Sequence, residues 1–230
     1  MANRESLAIG EWYHTYNRGV DKRIVFLDER DYEKFLTLMY LSTSSPAISI
    51  HASDIKNKKL SDILSNASIK LGKPIVEFGS YCLMPNHMHI AIKSLQDNGI
   101  SLFMQRLFTG YTMYFNKKYN RTGALFAGTF KSKHVNDDRY FKYLVSYIHL
   151  NPAELFDIKW KKGKANITNV EKRLIAYRYS SLPDFMKIKR PENKLIKSSI
   201  FDLFEVKISL KKMIQEMDEY YESLGSNWEV

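Results

Sequence analysis

The hydrophobic patterning predicts an α+β fold, in which strands of period two are interleaved with amphipathic helices. Three observations carry this. The runs 75–84, IVEFGSYCLM, and 87–93, HMHIAIK, read as strands joined by Pro85-Asn86, hence as an antiparallel pair. Apolar positions 102, 103, 107, 108, 111, 114 and 115 trace one helical face over 101–119. Residues 136–152 read as a second helix, capped by Asn136 or Asp137 and stopped at Pro152.

The remaining elements follow in chain order. EWYHTYNR (11–18) alternates aromatic and polar residues as a strand does, and Gly19 breaks it. FLDERDYEKFLTLMYL (26–41) is a helix with Asp28 as candidate N-cap. Residues 42–73, rich in Ser, Asn and Lys, form an insertion that is partly flexible, with a short helix at 60–71. Gly110 sits inside the 101–119 helix at a cost of about 1 kcal/mol. NRTGALFAGTFKSKHV (120–135) is a loop with strand-like pieces, 159–173 a basic linker, YRYSSLPDF a turn, and 209–224 a C-terminal helix.

The 230 residues are 44% hydrophobic and 13% aromatic, enough for one core of about 150 residues with appendages or for two small domains. A net charge of +10 favours polyanionic partners, nucleic acid first among them. The single cysteine, Cys82, excludes an intrachain disulfide and a multi-cysteine zinc site. With no signal-like leader and no run of about 18 apolar residues, the expectation is a cytoplasmic protein without a membrane span.

Two constellations carry chemistry. His87 and His89 are two apart on a strand and so share a face, while Met88, Ile90 and Ile92 point the other way. Two imidazoles on one rigid strand supply most of a metal site, although a polar network of histidines would have the same pattern. On the 136–152 helix, Tyr140, Tyr143, Tyr147 and Asn151 lie along one stripe, either an aromatic core stripe or a phenol and an amide presented together. A phenol becomes a useful nucleophile where a metal polarises the electrophile, as in phosphoryl transfer. Between them, Arg106, Lys117, Lys118, Arg121, Lys131, Lys133 and His134 are interleaved with aromatic residues, and Arg18 sits on the first strand. Cations beside stacking rings suit single-stranded nucleic acid, though cations on a solvated face look the same in sequence.

YCLMPNHMHIAIK resembles the HUH strand of the IS200-like, single-tyrosine (Y1) transposases. The order YHTYNRGVDKRIVF, YCLMPNHMHIAIK, YTMYFNKKYNRTGALFAGTFKS, YLVSYIHLNP and YRYSSL most resembles their REP-associated tyrosine transposase branch. The resemblance implies a central antiparallel sheet flanked by helices, of RRM or ferredoxin-like type, with the catalytic domain over 1–155 and a linker and helical extension over 156–230. It implies His87 and His89 as metal ligands with Asn151 as the third, Tyr147 as nucleophile, and Mg²⁺ or Mn²⁺ as cofactor. Imidazole favours softer ions than magnesium, so a loose, partly hydrated site is expected.

The implied reaction is cleavage and strand transfer of single-stranded, hairpin-containing DNA through a 5′-phosphotyrosine, by a monomer or homodimer. Tyr143 and Tyr140 are the alternative nucleophiles on the same stripe. The rival functions are a catalytically inactive DNA- or RNA-binding module on the same fold and a hydrolase acting through activated water. The chain departs from the family in the long 42–73 insertion, in AELFDIKW after Pro152, and in Thr129 where arginine is common.

Overall fold

The computed structural model describes residues 7–46, 58–66, 69, 71–160, 165–197, 200, 201, 204 and 209–223. In chain order the strands and α-helices are β1 (Trp12–Arg18), α1 (Glu29–Ser42), β2 (Ser44–Ser45), α2 (Leu60–Ser65), β3 (Lys73–Pro74), β4 (Val76–Met84) and β5 (His87–Ser94). After them come α3 (Gly99–Lys118), β6 (Lys131–Val135), α4 (Asp138–Leu150), α5 (Ala153–Phe156), α6 (Ile167–Ala176), α7 (Leu182–Phe185) and α8 (Leu210–Ser223). The fold is α+β. Its main sheet is antiparallel in the order β4-β5-β1-β6, and β2 pairs with β3 separately.

Side-chain alternation sorts the sheet into two faces. Met88, Ile90 and Ile92 are fully buried on one of them, and Phe78, opposite Ile92, packs its ring 5.2 Å from Phe103 of α3. Helix α3 buries Phe103, Leu107, Tyr111 and Phe115 at helical spacing, and Tyr111 meets Phe35 of α1 edge-on at 5.0 Å. Asp28 caps α1 in a capping box with Asp31.

The other face carries α4, whose N-cap Asp137 accepts a 2.7 Å bond from the Tyr140 amide. Gly79 lets α4 approach. It lies at an irregularity between Phe78 and Ser80, and a Cβ there would sit 2.8 Å from Phe141 Cζ and 3.0 Å from Trp12 Cζ3.

Beyond α5 the structure departs from the linker and turn read in sequence. Residues 167–176 form α6, capped by Asn166 on the Asn169 amide, and 182–185 form α7. The charged run reads as linker because α6 buries only Val170 and Leu174. Residues 179–181 cover the β4 edge: the Leu83 amide donates to the Tyr179 carbonyl and the Ser181 amide to the Tyr81 carbonyl, both at 2.9 Å. Arg190 fixes this segment through Asp184, with bonds of 2.8 and 2.6 Å, and the Ser180 carbonyl at 2.6 Å.

Helix α2 ends at Ser65, short of the expected 71. The strand-like part of 120–135 is confined to β6, apart from a single bridge between Gly19 and Phe126. Much of the expected flexible insertion (47–57, 67, 68 and 70), part of the basic linker (161–164) and the last residue of the expected C-terminal helix (224) lie outside the described residues. Among the described residues, no helix is long and apolar enough to cross a membrane.

Candidate active site

Strand β5 sets His87 opposite Arg18 and His89 opposite Tyr16 in the β1 register, both on the face that carries α4. His14, two residues before Tyr16, is the diagonal neighbour of His89, within reach of a long side chain. Its Nε2 lies 2.8 Å from His89 Nδ1, and the rings stack with centroids 5.0 Å apart. His87 Nδ1 lies 2.6 Å from Asn86 Oδ1 in the turn between β4 and β5.

Helix α4 closes the site. The half-buried Tyr147 ring stands edge-on to His89 at 5.5 Å and to His14 at 5.8 Å. Asn151, one turn later, ends the helix. Its amide nitrogen donates to the Tyr147 carbonyl at 2.9 Å. Strand β5 and helix α4 therefore bring His87, His89, Tyr147 and Asn151 together. Tyr143 and Tyr140 are buried and covered by Tyr220 of α8, at ring distances of 4.0 and 5.4 Å. On this stripe it is the Tyr147 ring that meets His89 and His14.

Burial dominates the electrostatics. It pushes His14 down to about 3, with help from the Lys133 charge, and holds His89 well below the usual imidazole range. His87 is also lowered, first by burial, against the opposing pull of the nearby Asn151 side chain and the Glu154 carboxylate. Neutral imidazole is the form that ligates metal, so His87, His89 and the Asn151 amide fit a divalent ion as a neutral donor set. Among the described residues, no group of three His, Cys, Asp or Glu side chains is placed to hold a metal ion.

The family model "Transposase IS200 like" matches residues 49–151, just under half of the chain. Over residues 49–151 the chain is therefore similar to the IS200-like transposases. That span contains His87, His89, Tyr147 and Asn151. It omits β1, the strand lying between β5 and β6 in the sheet. No curated protein matches the chain. A solved structure described as "Structure of the REP associates tyrosine transposase bound to a REP hairpin" aligns over 84% of this chain and 90% of that one, at 11% identity and a TM-score of 0.46.

The candidate DNA-contacting cations divide by location. Arg18 is exposed beside His87, and Lys131 and Lys133 stand opposite Tyr16 and His14, so all three share the histidine face. Arg106 donates to the Ser44 carbonyl at 2.7 Å, and Arg121 braces Asn116 at 2.6 Å. Lys118 bridges Asp28 and the buried Asp31, each at 2.7 Å. Lys117 is exposed at the end of α3, and His134, opposite Tyr13 on the other sheet face, bonds Glu11 at 3.0 Å.

Sequence reasoning missed His14, Asn86 and Glu154 as parts of the site. The β1 alternation contained the signal for His14, since it puts His14 and Tyr16 on one face.

Proposed function

We propose that this chain is a metal-dependent endonuclease and strand transferase for single-stranded DNA, working through a 5′-phosphotyrosine intermediate. The observation that carries the reading is the Tyr147 ring set edge-on to His89, with Asn151 one turn later at the end of the same helix. The IS200-like match over this span supports it. The order of the sequence segments supports the REP-associated branch and hairpin-containing DNA as substrate.

In the proposed step the Tyr147 oxygen attacks the scissile phosphorus. A P–O bond to tyrosine forms and the P–O3′ bond breaks; the phenol gives up its proton and the departing 3′ oxygen takes one up. The new ester keeps the energy of the broken one, so no nucleotide triphosphate is consumed, and a second 3′-OH can reverse the reaction. His87, His89 and Asn151 would hold the divalent ion, Mg²⁺ or Mn²⁺. Once bound, the ion supplies charge stabilisation at the phosphate and leaving oxygens. Arg18, Lys131 and Lys133 neutralise flanking phosphates from the same face.

The test incubates the full chain with labelled single-stranded hairpin oligonucleotides and Mn²⁺ and looks for a covalent adduct on a denaturing gel. Wild type is expected to form the adduct and EDTA to abolish it. Tyr147→Phe should abolish both adduct and cleavage while leaving binding largely intact. Full cleavage by Tyr147→Phe would remove Tyr147 from this role. Binding that survives EDTA with no adduct would make the protein a binding module, and cleavage without an adduct would make it a hydrolase.

A further inference from the structure

Both histidines of the β5 pair are held by the same ring atom. Asn86 Nδ2 donates to the Lys22 carbonyl at 3.2 Å, and a carbonyl can only accept. That bond fixes the amide orientation, so the atom 2.6 Å from His87 Nδ1 is the amide oxygen, itself only an acceptor. His87 Nδ1 must then carry the hydrogen, and its Nε2 carries the lone pair.

The Lys22 carbonyl is presented by an unusual backbone. Asp21 and Lys22 are successive non-glycine residues with φ of 54° and 58°. The same segment clamps the turn from behind, with the Gly19 amide on the Asn86 carbonyl and the Val25 amide on the Pro85 carbonyl, both at 2.8 Å.

His89 is held in the same way. Its Nδ1 faces His14 Nε2 at 2.8 Å, from the neighbouring strand, in a pair that is almost wholly buried. Two neutral imidazoles in contact share one hydrogen, and the nitrogen that carries it decides what the far side of each ring can do.

We propose that His14 and Asn86 are positioning residues that hold His89 and His87 as Nδ1–H tautomers, leaving both Nε2 lone pairs for the site. This rests on the metal-site reading above. It extends that reading to His14, which lies outside the family-matched span, and to the Asp21-Lys22 turn. The reverse polarity, with His14 donating, would give His89 an Nε2–H and make it a proton donor instead of a ligand.

The decisive readout needs no metal. The full chain, labelled with ¹⁵N-histidine and stripped with EDTA, is examined by long-range ¹H–¹⁵N correlation, which separates protonated from unprotonated ring nitrogens. His87 and His89 are both expected as Nδ1–H. An Nε2–H signal from either would overturn the assignment, whatever the metal result.

His14→Phe should release His89 into a tautomer mixture and weaken Mn²⁺ binding, followed by electron paramagnetic resonance, by about 10- to 100-fold. His14→Gln, whose amide oxygen can accept from His89, should retain both properties and guards against a folding defect. Wild-type tautomer and Mn²⁺ affinity in a folded His14→Phe would overturn the role of His14. Failure of the wild-type chain to bind Mn²⁺ while showing both Nδ1–H signals would sink the metal reading and leave the tautomer assignment standing.

Discussion

His149 lies wholly inside the molecule, with Nε2 2.8 Å from Ser181 Oγ and a buried Nδ1 that has no hydrogen-bond partner among the described residues. Burial pushes its pKa down to about 3, against about 6.5 for a free histidine. Between those values the unfolded chain takes up a proton that the native site refuses, so stability falls as pH falls through this window. The slope from one such residue reaches about 1.4 kcal/mol per pH unit. His14 and His89 act with the same sign, and a variant is needed to isolate His149. His149→Gln should lose less stability than wild type between pH 7 and pH 5, measured as urea midpoints at each pH; equal losses would exclude His149 as a contributor. The shared faces of His87 with His89 and of Tyr147 with Asn151 were legible because i, i+2 and i, i+4 spacings translate directly into position, while their reading as a site came from the family resemblance. His14 and Asn86 were not identified because their roles depend on cross-strand register and on the Lys22 carbonyl, which one strand's pattern does not contain.

The elements that sequence placed best have local stop and start signals: Asp28 and Asp137 both cap where expected, and the Pro85-Asn86 turn fixes the β4–β5 register. Helix α6 was missed because it buries only Val170 and Leu174, and the 179–181 edge segment because backbone bonds to β4 and Arg190 define it more than an apolar period does. Gly79 belongs with these features. In sequence it is one glycine in a strand. In the fold it marks where α4 crosses the sheet, close to Phe141 and Trp12. Gly79→Ala should lower stability by about 1–3 kcal/mol through overpacking, measured by urea unfolding. Because α4 also carries Tyr147, the same variant should form less covalent adduct. Unchanged stability would mean that the Phe141 and Trp12 rings turn aside without moving the helix.

At the scale of the whole molecule, a charge of +10 says that a polyanion is favoured but not which cations meet it. The fold makes that division. Lys118 is held by Asp28 and Asp31, nearly ninety positions earlier in the chain, and Arg106 braces β2. Arg18, Lys131 and Lys133 are left on the histidine face. If that face binds single-stranded DNA, each phosphate contact contributes about 0.7 to the slope of log affinity against log salt. Lys131→Ala combined with Lys133→Ala should therefore flatten the slope by about 1.4, twice the single-contact value. Lys118→Ala should leave the slope unchanged while lowering stability, because it strips the buried Asp31 of its charge partner. Binding titrations from 50 to 200 mM salt, paired with melting curves, separate the two effects. A slope that responds to Lys118 and not to the β6 lysines would move the DNA path to the α3 side of the sheet, away from Tyr147.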